Sequence, residues 1–118
     1  MRHLNSRKKL NMKSSYRKAY LRNQVIHLIN FGHITLSLAG AKEVRRFAEK
    51  MVTIAKVGTD FNARRRAQQL LPYSDVALDK LFADVAPQYA QRPGGYTRIL
   101  RLGRRPSDTC SMALLQWV

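Results

Sequence analysis

The first 23 residues hold no acid, and that limits what this part of the chain can form. Arg2, Arg7, Lys8, Lys9, Lys13, Arg17, Lys18 and Arg22 stand there with His3, and between Arg2 and Lys13 only Leu4, Leu10 and Met12 offer apolar surface to bury. Like charges so dense repel one another, and so little apolar surface cannot offset the entropy of ordering. Residues 1–13 are therefore expected to be a basic, extended N-terminal arm that takes up structure when a polyanion neutralises it. Residues 14–118 must then supply a single compact domain.

About 95 residues follow the acid-free stretch, enough for one small core. Hydrophobic residues make up 45% of the chain, which suits a globular remainder. Lys and Arg number 22 against 7 acids, a formal net charge of +15. An excess that far from zero carries self-repulsion, so it points to an anionic partner more than to a merely soluble surface. Arg outnumbers Lys. Its planar fork matches phosphate and its face stacks on bases, which directs the expectation to nucleic acid. Charge is uneven along the chain. From Val57 to Gln91 four cations (Arg64, Arg65, Arg66 and Lys80) face Asp60, Asp75, Asp79 and Asp84, whereas Arg92 to Val118 is basic again. A neutral middle between basic ends suggests a core with two RNA-facing regions.

Cys110 is alone and can form no internal disulfide or thiolate cluster. It reads as a small, partly buried side chain in a reducing compartment. No apolar run approaches the ~20 residues of a membrane span, and no signal-peptide core is present. An acid-free N-terminus rich in Arg, Lys and Ser also fits an organellar transit peptide on composition alone.

Ser14 and Ser15 are N-cap candidates for a helix reaching Phe31, with Gly32 as its stop. Its residues segregate along the axis. Arg17, Lys18 and Arg22 occupy the first turns, and Leu21, Val25, Leu28 and Ile29 the last. Cations at a helix N-terminus oppose the macrodipole, so either an external anion sits there or solvent screens the conflict. Ile34, Leu36 and Leu38 alternate with Thr35 and Ser37 as a short strand. From Gly40 to Val57, Ala41, Val44, Phe47, Ala48, Met51, Val52, Ile54 and Ala55 fall on an arc of roughly 160°. Glu43 and Glu49 fall with Lys42, Arg45, Arg46, Lys50 and Lys56 on the solvated side, and Gly58 ends the helix. Asp60 can cap a short helix stopped by Pro72, and Ser74 or Asp75 another, with Leu78, Leu81, Phe82 and Val85 on one stripe and Pro87 beyond. Tyr96–Leu102 and Met112–Val118 read as strands joined by a basic loop over 103–111, too long for a tight hairpin turn. The expected fold is α+β, in the order helix–strand–three helices–two strands, with the helices packed on one face of a small three-stranded sheet.

His3, His27 and His33 lack metal-binding spacing, and no phosphate loop or nucleophile–base set is present. No metal, cofactor, small-molecule substrate or enzymatic activity is expected. Arg64-Arg65-Arg66 on a helix points in three directions, so RNA contact by any of them stays open. Tyr16, Tyr20 and Tyr96, each beside cations, could stack on bases, though Tyr20 and Tyr96 could equally pack at the edge of the core. Trp117 reads as core or rim. No RNA-recognition, KH or OB signature appears. An arm on a compact domain suits recognition of folded RNA by shape and phosphate geometry.

Met1-Arg2-His3, Lys9-Leu10-Asn11, Ser14-Ser15, Arg17 and Arg22-Asn23 are familiar as a set. So are Ala41-Lys42-Glu43-Val44-Arg45, Ala55-Lys56, Ala63-Arg64-Arg65, Lys80-Leu81-Phe82 and Ala86-Pro87. The most specific block is Arg92-Pro93-Gly94-Gly95-Tyr96-Thr97-Arg98-Ile99-Leu100, and Met112-Ala113-Leu114 follows near the end. In this order, over nearly the whole chain, they resemble the bacterial ribosomal large-subunit protein seventeen family. The resemblance implies the same fold and a non-enzymatic, cytoplasmic component of the large ribosomal subunit. It implies binding to large-subunit rRNA near the nascent-peptide tunnel exit, among neighbouring ribosomal proteins. It also implies an arm retained in the mature protein, although an organellar ribosome stays open as host. A homo-oligomer or membrane partner is not expected. Met12 departs from the usual basic residue, Tyr16 from His and Gly40 from Lys.

Charge and resemblance together place Arg2, His3, Arg7, Lys8, Lys9, Asn11, Lys13, Ser14, Ser15, Tyr16, Arg17, Lys18, Arg22 and Asn23 on rRNA, with Lys42, Arg92, Tyr96, Arg98, Arg104 and Arg105. The competing reading is a free-standing basic DNA-binding or regulatory protein. No short helix offers a polar recognition face for it. In competition binding at matched salt, structured large-subunit RNA is expected to displace duplex DNA. The reverse order would favour the DNA reading.

Overall fold

The computed structural model describes residues 3, 5, 8–58 and 60–118. Among these, helix α1 (Ser14–Phe31) leads into strand β1 (His33–Ser37), and α2 (Leu38–Ala55) and α3 (Phe61–Leu70) follow. Helix α4 (Asp75–Lys80) continues through a π turn, Leu81–Val85, into α5 (Ala86–Gln88), so the three form one helical run. Strands β2 (Thr97–Arg104) and β3 (Ser111–Trp117) close the chain. The sheet is antiparallel in the order β1-β3-β2, which puts the last strand in the centre. The α+β order expected from the sequence is therefore the observed one.

Alternation decides which face of the sheet is buried. Ile34 and Leu36 of β1 and Ala113 and Leu115 of β3 are buried, and Thr97 and Ile99 of β2 share their face. Val44, Ala48, Met51 and Val52 of α2 join the same core. Leu78, Leu81, Phe82, Val85 and Tyr89 add the helical run to it. Each such Leu or Phe contributes about 1.5–3 kcal/mol of transfer free energy, which is what holds helices this short.

In α1 the buried residues are Val25, Leu28 and Ile29, all in the second half, as the axial segregation predicted. Gly32 ends the helix in the left-handed region at φ 81°, and its N–H donates to the Leu28 carbonyl at 2.8 Å. The last turn carries no cation of its own. Lys80 Nζ reaches the Asn30 carbonyl at 2.7 Å, and the Trp117 indole N–H donates to the Leu28 carbonyl at 3.1 Å. Trp117 therefore clamps α1 to β3 from the rim of the core.

Several boundaries differ from those read in the sequence. Neither Ser14 nor Ser15 caps α1. Lys13 takes the cap position and offers no side-chain acceptor. Helix α2 begins at Leu38, not Gly40, because the Ser37 hydroxyl accepts the Gly40 N–H at 3.2 Å and starts the helix directly off the strand. Gly40 also permits a close approach. A Cβ there would lie 3.0 Å from the Tyr20 hydroxyl and 3.2 Å from Leu36 Cδ1. Pro87, expected beyond the last helix, lies inside the helical run, and the π turn sits where an α-helical Pro87 would strike the Ala83 carbonyl.

The solvated placement of Glu43 and Glu49 is corrected. Glu43 is 8% exposed and accepts the Lys8 backbone N–H at 3.1 Å. Glu49 Oε1 accepts the Thr97 N–H at 3.3 Å and the Thr97 hydroxyl at 2.8 Å, with Arg45 Nε 3.4 Å away. Helical periodicity places a side chain around its own axis but does not show which distant segment crosses that face. Thr97 is buried, so this carboxylate satisfies two polar groups that water does not reach. Glu49→Ala should lower stability by about 1–3 kcal/mol, the cost of stranding such donors. Urea unfolding should show a lower midpoint at unchanged slope, and a smaller loss for Glu49→Gln.

Candidate nucleic-acid interface

The N-terminal half of α1 has no acid in its first turn and no side-chain cap. The Arg17 N–H is the first to be satisfied, by the Lys13 carbonyl at 2.8 Å. The N–H groups before it point out of the helix beside exposed Lys13, Ser14, Ser15, Tyr16 and Lys18. The Tyr16 ring is 63% exposed, which leaves it open to stacking. Lys9, Asn11 and Asn23 are exposed as well, and so is His3.

The last residues of the expected arm, 8–13, hold a turn ahead of the helix. The Met12 N–H donates to the Lys9 carbonyl at 3.2 Å and closes a turn, with Leu10 and Asn11 both left-handed at φ 57° and 55°. Asn tolerates that region through its short polar side chain, and Leu does so only at a cost of roughly 1–2 kcal/mol. Arg17 Nη1 holds the Met12 carbonyl at 3.3 Å, and the Lys8–Glu43 bond ties the turn to α2. The buried carboxylate that ties it lies 35 residues away, which composition could not reveal. The contacts expected of Arg2 and Arg7 fall outside the described residues.

Arg22 is engaged within the protein. Its Nε donates to the Leu70 carbonyl at 3.1 Å, and its guanidinium lies 5.4 Å from the Tyr73 ring centroid, so it ties α1 to the end of α3. Tyr96, for which the sequence left base stacking and edge-of-core packing equally open, is packed in the core. It is 3% exposed, its hydroxyl donates to the Arg92 carbonyl at 3.2 Å, and Lys56 Nζ reaches that hydroxyl at 2.9 Å. Tyr20 is half-buried against the core, and burial pushes its phenol up. Arg92 is exposed over the Tyr89 ring at 5.3 Å. Lys42, Arg98 and Arg104 are exposed on α2 and β2. In the tri-arginine run, Arg64 pairs with Asp79 and Arg65 lies over Phe61, and Arg66 is exposed.

The basic loop is shorter than the 103–111 span expected. Strand β2 runs to Arg104 past an irregularity between Arg101 and Gly103, and β3 begins at Ser111. Gly103 accommodates that irregularity at φ 93°. The Arg105 N–H donates to the Cys110 carbonyl at 2.8 Å and the Thr109 N–H to the Arg105 carbonyl at 2.8 Å. Asp108 accepts from Arg105 Nε at 2.9 Å and Nη2 at 2.7 Å, and from the Cys110 N–H at 3.1 Å. Arg105 thus closes its own loop, and Arg104 is left as the cation facing outward.

Sequence reasoning missed Arg101. The strand register brings it opposite Ala113, on the sheet face that looks toward α2, where it meets Lys42, Arg45 and Arg46 across a cleft. Helical periodicity grouped the three α2 residues, but no local signal joins a strand residue to them. Among the described residues, the ion pairs are Arg45–Glu49, Arg64–Asp79 and Arg105–Asp108, few against 22 cations in the chain. No group of three His, Cys, Asp or Glu among the described residues could hold a metal ion. None of the described helices is long and apolar enough to cross a membrane.

Fold and surface define a small basic α+β protein whose cations far exceed the carboxylates that could pair with them. Residues 20–118 match the family described as Ribosomal protein L17. The large ribosomal subunit protein bL17 of Helicobacter pylori is 44% identical over 118 residues, all of both chains. The protein of that name from Trichlorobacter lovleyi is 43% identical over 118 residues, all of this chain and 94% of its own. That from Geotalea daltonii is 44% identical over all of this chain, which spans 64% of that longer protein. The chain belongs to the Ribosomal protein L17 family, a structural and non-enzymatic one.

The hydrogen bond from Arg105, followed by that from the Cys110 N–H, holds the Asp108 carboxyl down at about 2, against an ordinary 3.8. A depressed carboxyl contributes to the closed loop above its ordinary pKa, and that contribution fades as pH falls toward 2. A carboxyl-carbon NMR titration should place the Asp108 midpoint near 2. In Arg105→Gln it should move up toward the ordinary value.

Proposed function

We propose that this chain is a structural component of the bacterial large ribosomal subunit, in the cytoplasm, where it binds and stabilises folded large-subunit rRNA. Residues 1–13 act as an arm that completes its structure on the RNA, and residues 14–118 are the compact domain that carries it. The observation that carries this reading is the open N-terminus of α1. An 18-residue helix leaves its first N–H groups without a side-chain cap, next to Lys13, Lys18 and the exposed Tyr16 ring. A phosphate seated there meets the N–H groups, the helix dipole and the cations together, and a neighbouring base meets the tyrosine. Lys9 and Asn11 extend this surface on one side, Asn23 on the other. Arg98, Arg104 and Arg92 offer a second contact region at the C-terminal end of the sequence.

The names of the relatives support the ribosomal setting. Neighbouring ribosomal proteins as partners and a place near the tunnel exit are what the family resemblance implies, and no homo-oligomer is part of this reading.

Lys9, Lys13 and Lys18 are the right residues for a test, because Arg22 also supports the fold. On a high-salt sucrose gradient the wild-type chain should stay at about one copy per large subunit. Changing those three lysines to Gln should release it to the free-protein fractions. The salt slope of its binding to isolated rRNA should flatten by roughly three. Unchanged retention and slope would remove the helix terminus from the interface.

A further inference from the structure

The cleft between α2 and β2 is lined by Leu38, Lys42, Arg45, Arg46, Ile99 and Arg101, with a volume of ≈ 510 Å³. On α2 these residues recur at intervals of four, three and one, which forms a single stripe. Ile99 and Arg101 alternate on β2, on the face turned toward that stripe. Four of the six lining side chains are cationic, and none is a carboxylate. The nearest acid along the stripe, Glu49, is already held by Thr97 and Arg45. The two remaining lining residues, Leu38 and Ile99, also pack against the core, so they form a fixed apolar floor beneath mobile cationic tips.

We infer that this cleft seats one unpaired nucleotide of the RNA, its phosphates held by Lys42, Arg46 and Arg101 and its base laid against Leu38 and Ile99. The inference rests on the RNA-binding reading above and adds a site to it. Cations gathered in one cleft with no lining acid select an anion. An apolar floor within the same cleft selects an anion that carries a flat, weakly polar face, which a nucleotide has and a bare phosphate lacks. Three of the four cations are Arg, whose planar fork grips phosphate oxygens and whose face can cover a base. The volume lies within the roughly 300–1,000 Å³ of small-ligand sites. An unpaired nucleotide fits better than a helical stretch of RNA, since only a splayed base can enter a concavity. Arg104, opposite Ser111, lies on the same sheet face beyond Arg101, so a strand leaving the cleft meets a further exposed cation on β2.

The test uses the full chain and transcribed large-subunit rRNA, with Arg46→Gln and Arg101→Gln combined. Both side chains are exposed, so the fold should survive the change. Affinity should fall tenfold or more, and the salt slope should flatten by roughly one and a half to two. Base-specific chemical probing should show one unpaired base that the wild-type chain protects and the variant leaves reactive. A flattened slope with no change in any base would reduce the cleft to a phosphate contact and overturn the inference. Unchanged affinity, slope and reactivity would overturn it entirely, while release of the lysine variant would leave the ribosomal reading standing. Failure of the wild-type chain to bind rRNA at all would instead sink that reading itself.

Discussion

Seven carboxylates serve a chain with 22 lysines and arginines, and the fold uses four of these acids as internal fasteners. Glu43 takes the Lys8 backbone, Glu49 takes Thr97 and Arg45, Asp79 takes Arg64 and Asp108 takes Arg105. Among the described residues, acids engaged in this way leave most of the cations without an acidic partner. The same economy that closes the structure therefore leaves its surface strongly positive, and an anionic partner relieves the repulsion that remains.

Not every cation serves that partner. Arg22 ties α1 to α3, Lys80 completes the end of α1, Lys56 bridges Arg92 and Tyr96, and Arg105 closes its loop. These four act on carbonyls, phenols and a carboxylate of the chain itself. Lys9, Lys13, Lys18, Lys42, Arg46, Arg98, Arg101 and Arg104 are exposed and carry the outward charge. They gather at the start of α1 and along the α2–β2 edge, so the chain presents two cationic regions. The neutral middle of the sequence builds the short helices behind them.

The departures at Tyr16 and Gly40 from the family's usual residues have different physical meanings. Tyr16 lies on the surface with an open aromatic face, so its ring remains available for stacking. Gly40 is a packing response. Its missing Cβ leaves room for the Tyr20 hydroxyl and Leu36, so a longer residue there would require both to shift. Met12, the third departure, contributes its carbonyl to Arg17, a role that any residue's backbone could fill.

Local pattern settled the kinds of element and their order. Alternation exposed the strands, a period near 3.6 exposed α2, and Gly32 marked the end of α1, because each signal depends on a residue's immediate neighbours. The acid-free opening likewise settled that this part of the chain is strongly cationic, since net charge does not depend on conformation. Tertiary structure alone decided which charges remain outside. Burial of Tyr96, the Arg22 tether, the inward turn of Glu43 and Glu49 and the meeting of Arg101 with Lys42 each join residues dozens of positions apart. Helix phase and strand register, propagated through the packed core, bring them together, and neither can be read from the residues beside them.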